Sequence, residues 1–341
     1  MLFRSFSTKI YTVLHSASSI PAYGEANALA MFYLLVAILS TYFYGRVISK
    51  SERYAVITGK GYQPRTLSLG AWRWPAFAVA VLYLAPSTIL PFLVLAYTSF
   101  LPYLQTPSLA AFAKMSWSNY ASVLQTDQLG HTLWNTLIMT VTAATATVLL
   151  SVLVSLVIVR SRFWGRRLLD QLAFFPHAIP GMAMGLALLW IILQIDKTGV
   201  GLYGSVWAIA IAFVISYMAY GTRAMNAAVL QVHKDLEDAA KMSGAPGWRV
   251  MWRIFFPLLL PALGGVWIWT VLHVVRAAGI PLMLADGSSN EVLSVLIWNM
   301  WDQGNVEAVG AVGTLLMLAL LGVTLALQLL RFGMFARIQQ A

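Results

Sequence analysis

Cysteine is absent from the sequence, which removes disulfides, thiolate metal sites and thiol nucleophiles together. Charge is scarce: Asp, Glu, Lys and Arg make up 10% of 341 residues, against about 25% in a soluble domain. Such a chain has too little charge to cover its own surface, so soluble fold classes are excluded. Acids are scarcer still, 12 against 22 basic residues. No His-Glu-x-x-His zinc helix, Gly-x-Ser-x-Gly elbow or paired intramembrane carboxylates are present, and neither is a Walker lysine loop. The chain is therefore not expected to be an enzyme, and any nucleotide hydrolysis it needs must lie on a partner.

What is abundant is apolar: 60% of residues, with a mean hydropathy of +0.75. Uncharged runs long enough to cross the hydrocarbon core, about 20 helical residues, lie at 26–45, 77–100, 132–159, 171–195, 198–222, 254–275 and 308–330. They lack strict alternation and far exceed a barrel strand of about 10 residues, which excludes transmembrane β-structure. The expected fold class is an all-α polytopic membrane protein.

A formal charge of +10 would suit nucleic acid, but its placement points to a bilayer. Seventeen of the 22 Lys and Arg follow the first, third, fifth and seventh spans; Arg4, Lys9, Lys114, Lys197 and Arg276 lie on the alternate side. The positive-inside rule then puts the first set in the cytoplasm, the N-terminus outside and the C-terminus inside. Trp117, Trp134 and Trp301 suit interfacial anchoring, and no face interleaves arginine with aromatic rings as base stacking would require.

Residues 1–25 carry no cleavable secretory signal pattern. An outside N-terminus then has two explanations: the first span pulls a short polar tail across, or it is the last helix of an earlier module. An internal match favours the second. At an offset of 282 positions, Ser7, Val13, Leu14, Glu25 and Ala26 fall without a gap on Ser289, Val295, Leu296, Glu307 and Ala308. Leu34, Ala37 and Leu39 fall on Leu316, Ala319 and Leu321. On this reading 1–45 is the outer segment and last span of a preceding module, and 46–76 is a basic, glycine-containing cytoplasmic linker. Residues 77–341 form a six-span module.

The loop between the fifth and sixth long runs holds the informative pattern. Asp235 can cap a helix start, Glu237 and Asp238 sit in its first turn, Lys241 lies toward its end, and Gly244 with Pro246 stops it. A helix of about two turns over 235–244 is too short to span. Leu236, Ala239, Ala240 and Ser243 share one face at i, i+3, i+4, i+7. A helix resting on lipid would show bulky residues there and basic ones opposite; alanines with three acids fit a protein partner.

Asp238-Ala239-Ala240, then three residues and Gly244, then nine residues and Ile254-Phe255-Phe256-Pro257 resemble the Glu-Ala-Ala, Gly, Ile-x-Leu-Pro signature of binding-protein-dependent ABC importer permeases. Asp replaces Glu, with Glu237 just before it, and Phe256 replaces Leu. The resemblance, over about 77–331, implies the six-span type I importer fold. It also makes 235–244 a coupling helix, with Glu237, Asp238, Ala239, Ala240, Gly244, Ile254 and Pro257 forming the ATPase-coupling site. The partners it implies are an ABC ATPase dimer carrying ATP and Mg, a periplasmic solute-binding protein and a second permease module, fused or separate. No cofactor is then expected on this chain. The linker at 57–65, with Leu69-Gly70 and Trp72-Arg73-Trp74, looks like the segment joining the halves of tandem ferric-iron permeases. That likeness is to their C-terminal half, making ferric iron the leading solute ahead of thiamine, polyamine, sulfate or a phosphonate. A secondary transporter without an ATPase is the rival class; the acidic, alanine-faced loop helix argues against it.

Within the spans, Pro176, His177, Pro180 and Gly181, with Gly185, stand together. They read either as a broken helix lining the translocation path, which the resemblance favours, or as kinks beside a close-packing glycine face. His177 is a gate candidate or an interface histidine. Arg276 ends the sixth span as a pathway residue or an arginine snorkelling to outer headgroups; the Arg-Glu-Leu common in the resembled family is here Arg276-Ala277-Ala278.

Overall fold

The computed structural model describes residue 9, residues 12–13, 23–48 and 68–340. Most of the linker, and with it the Ile57–Arg65 resemblance, lies outside the described residues. Among the described residues five helices are long and apolar enough to cross a membrane, six if a bent pair is counted as one span. In chain order the elements are α1 (Tyr23–Ile48), α2 (Gly70–Ser99), α3 (Leu109–Phe112), α4 (Ser118–Leu124), α5 (Asp127–Arg160), α6 (Arg166–Phe174) and α7 (Gly181–Asp196). They continue as α8 (Val206–Gln231), α9 (Lys234–Met242), α10 (Gly247–Arg276), α11 (Pro281–Leu284), α12 (Leu293–Asp302) and α13 (Val306–Gln340). The described residues hold no strand. The chain is an all-α polytopic membrane protein.

Two expected spans are corrected. The run 171–195 is not one helix: α6 and the 3-10 turn Phe175–Ala178 meet α7 at an angle of 113°. Ile179 and Pro180 are extended, with ψ of 127° and 145°, because the residue before a proline is pushed out of the helical region and Pro180 cannot donate to the preceding turn. The run 198–222 is helical only from Val206. Gly199, Gly201 and Gly204 all have positive φ, and the Asp196 carboxylate accepts from the backbone N–H groups of Leu202 and Tyr203, both at 2.6 Å. Apolar composition hid a glycine loop. α8 starts where Ser205 accepts from the Ala208 N–H, a standard N-cap, and runs on to Gln231.

α2 and α10 each contain a π turn, Ala85–Ile89 and Met251–Phe255. Each is closed by an N–H reaching five residues back, Leu90 to Ala85 and Phe256 to Met251. A proline follows at once in both, Pro91 and Pro257. A proline ring collides with the carbonyl four residues back in an ordinary helix, and the wider turn relieves that collision.

Contacts cluster the chain into two units. One comprises 53–129 and 296–341. In it α2 and α13 approach closely: a Cβ on Gly310 would stand 2.6 Å from Thr98 Oγ1. The turn after α2 is held by Tyr120, whose hydroxyl lies 2.7 Å from Ser99 Oγ, and by the Asn119 amide donating to the carbonyls of Ser99 and Leu101.

The other unit, 1–52 and 130–295, is built on α5, α8 and α10. α5 and α8 pack through small polar residues: a Cβ on Gly221 would overlap the Ser151 hydroxyl, and Ser155 Oγ donates to Thr222 O at 3.2 Å. Without a hydrophobic drive between helices in lipid, small residues and hydrogen bonds bring helices together. A second cluster of Met225, Val229, Val232, Val250, Phe255 and Leu259 joins α8 to α10. At the offset of the internal match, α1 and α13 begin one residue out of step, and each carries an acid in its first turn, Glu25 and Glu307.

Candidate functional site

The loop after α8 folds as a helix. It begins at Lys234, one residue before the expected cap, and Asp235 lies in the first turn, 3.1 Å from His233. Its end is set by Gly244 at φ +74°. There the Ala245 N–H donates to Ala240 O at 3.0 Å, the 6→1 bond that closes a helix on a left-handed residue. Pro246 then starts α10 by accepting from the N–H groups of Arg249 and Val250. The face expected to carry Leu236, Ala239, Ala240 and Ser243 is divided. Ala240 is half-buried and packs with Ala245 onto the Val229, Val232, Val250 and Phe255 cluster. Leu236, Ala239 and Ser243 are exposed, as are Asp238 and Met242. Glu237 lies in the helix, with its side chain outside the described residues.

The second half of the motif anchors this loop. Ile254 packs half-buried on the same cluster, Phe255 is buried, and Pro257 opens the regular part of α10 after its π turn. No sequence motif singles out Arg160, at the end of α5, whose guanidinium donates to Val229 O at 3.0 Å and to Val232 O. It also lies 5.4 Å from the Phe255 ring centroid. Val229 lies in the last turn of α8, where its carbonyl also accepts the Val232 N–H, and Val232 is the extended residue that ends the helix. An arginine in the last turn of a long helix was the available signal, but its acceptors lie about seventy positions away.

The pathway candidates are separated by the bend. Pro176 is half-buried and His177 exposed in the 3-10 turn, whereas Gly181 opens α7. The glycines make close packing: Cβ positions on Gly181 and Gly185 would meet the Gly279–Ile280 backbone at 3.8 Å and Met283 Cβ at 2.8 Å. The Arg223 guanidinium holds the turn's approach, 3.3 Å from Asp170 and 4.9 Å from the Phe174 ring centroid. Arg276 ends α10 exposed, and one turn inward His273 Nδ1 lies 2.7 Å from Trp269 O. That ring stacks on Trp269, which stacks in turn on Tyr220. Among the described residues no three of His, Cys, Asp and Glu converge as a metal site would require.

The family described as binding-protein-dependent transport system inner membrane component matches residues 147–338, more than half of the chain and all of α8, α9 and α10. The chain belongs to this family. As a permease of that family it is a multi-pass inner-membrane protein. It is 24% identical over 330 residues to the ferric transport system permease protein FbpB of Actinobacillus pleuropneumoniae, covering 95% of this chain but 46% of FbpB. The sulfate transport system permease protein CysT of Escherichia coli K12 is 25% identical over 239 residues, 65% of this chain and 84% of CysT. The permease thus spans about half the length of its ferric relative. It also shares the fold of a bacterial ABC transporter involved in alginate import, with a TM-score of 0.58 at 17% identity, covering 77% of this chain and 99% of that one. A second structure of the alginate transporter, in complex with its pentasaccharide-bound periplasmic protein, matches with a TM-score of 0.59 at 15% identity, covering 75% of this chain and 94% of that one.

Proposed function

We propose that this permease forms one six-span half of the pathway of an ATP-driven importer and that α9 is the helix its ATPase partner grips. The observation that carries the reading is α9 itself. It is a two-turn helix stopped by a left-handed glycine, with Leu236, Ala239 and Ser243 outward and Ala240 seated on the ends of α8 and α10. A rigid projection on two long helices can pass a closing movement of an ATPase dimer into the membrane, since coupling needs a firm element shared by two global states. In this reading a periplasmic binding protein delivers solute to the outer segments at 101–131 and 277–307. Pro176, His177, Pro180, Gly181 and Arg276 lie on or beside the path, where the extended 179–180 segment leaves backbone groups that only protein or a watered cavity can satisfy. The N-terminus is outside and the C-terminus cytoplasmic. The second module, fused or separate, supplies the facing half. The matched starts of α1 and α13 support assigning α1 to the first module, 46–76 to a linker and 77–341 to the second.

Ferric iron is the proposed solute, supported by the match to FbpB along 95% of the chain. Sulfate is the second reading, favoured by the coverage of CysT. Proteoliposomes holding the permease with its ATPase and binding protein should accumulate radiolabelled ferric iron when ATP is enclosed. Accumulation of labelled sulfate instead would replace iron by the second reading, and uptake of either without ATP would overturn the importer assignment.

A further inference from the structure

α5 is a single helix of 34 residues, and beyond Gly130 it contains neither glycine nor proline. Both of its ends grip a functional loop through side chains that bond to backbone. At the outer end Asn135 Nδ2 donates to the carbonyls of Ser289 and Glu291, at 3.2 and 3.0 Å. One residue on, the Thr136 hydroxyl accepts from the Leu293 N–H at 2.8 Å. The gripped loop is itself tied: Asn290, fully buried, accepts from the Asp286 N–H and donates to Leu284 O. At the inner end Arg160 holds the last carbonyls of α8 and covers Phe255, at the base from which α9 projects. From Asn135 to Arg160 an α-helix rises about 38 Å.

We propose that α5 is the strut that links the outer loop at 285–293 to the base of the ATPase-docking helix, with Asn135 and Arg160 as positioning residues at its two ends. This inference rests on the docking role given to α9. Occupancy of the outer loop by a binding protein moves the strut, and the Arg160 clamp carries that displacement to α8 and Phe255. Rigid helices with clamped ends are the kind of physical element through which distant sites couple. Ordinary packing would not do this: sites this far apart with no shared partner change stability and activity additively.

The test is a double-mutant cycle on the assembled permease–ATPase complex in nanodiscs. The readout is ATPase turnover with binding protein charged with ferric iron, or in a parallel series sulfate, divided by turnover without it. Asn135→Ala and Arg160→Lys should each lower that ratio by about fivefold or more, the usual span of a coupling energy. The double variant should be no lower than the worse single. Multiplying single effects, or singles that leave the ratio unchanged, would overturn the strut. Should Arg160→Lys fail to assemble, Asn135→Ala is tested alone through a cysteine at Ser243. Charged binding protein should change its labelling rate in the parent and not in the Asn135→Ala background; an equal change in both would overturn the proposal. A parent complex that shows no stimulation by either charged protein would instead refute the importer reading beneath it, and with it the strut.

Discussion

A left-handed backbone at Gly244, φ +74°, is where one residue decides the shape of the loop that carries α9. Nothing lies within 4 Å of a Cβ built there, so a side chain has room and the penalty is conformational, about 1–2 kcal/mol for an ordinary residue in that region. Gly244→Val should therefore unravel the end of α9 and lower co-purification of the ATPase several-fold, whereas Gly244→Asn, which tolerates the conformation, should retain most of it. Equal co-purification of both variants with the parent would contradict the role. Gly185 is limited by space instead: its Cβ would stand 2.8 Å from Met283 Cβ. Gly185→Val should destabilise the fold by about 1–3 kcal/mol, read as a lowered Tm in detergent with ATPase binding otherwise intact at low temperature. An unchanged Tm would show that α7 and α11 are not in that contact.

At the scale of elements, the charge bias predicts a cytoplasmic α9 and α2–α4 and α11–α12 loops on the outside. The absence of cysteine makes the check direct. Single cysteines at Ser108 and Ser288 should react with an impermeant thiol reagent in intact cells, and one at Ser243 only after permeabilisation; the reverse pattern would invert the topology. Much of this level was legible. The length of an apolar run reports a span well when the run has no breaker, as for α5. It fails where composition and conformation part: Pro180 forces residue 179 out of the helix, and three glycines with positive φ before Val206 are as apolar as the helix they precede. α9 was readable to within two residues at either end because its stop is local, written in Gly244 and Pro246. The Arg160 clamp was not, since no local pattern in α5 names the carbonyls of Val229 and Val232 as its acceptors.

For the whole molecule, family membership rests on residues 147–338, a stretch that contains the loop motif at 238–257. Fold and solute separate there. The backbone shared with a bacterial transporter at 17% identity speaks for the fold alone, and a fold does not choose a solute. The central claim is that the exposed face of α9 is held by an ATPase. Ala239 is exposed on that face, and the cysteine-free background allows Ala239→Cys to carry the only reactive thiol of the permease. In membrane vesicles containing the whole transporter, a short thiol-reactive cross-linker at this position should join the permease to its ATPase subunit, and a cysteine at Ser288 should not. Absence of the cross-link at Ala239, with the two chains still co-purifying, would contradict the account.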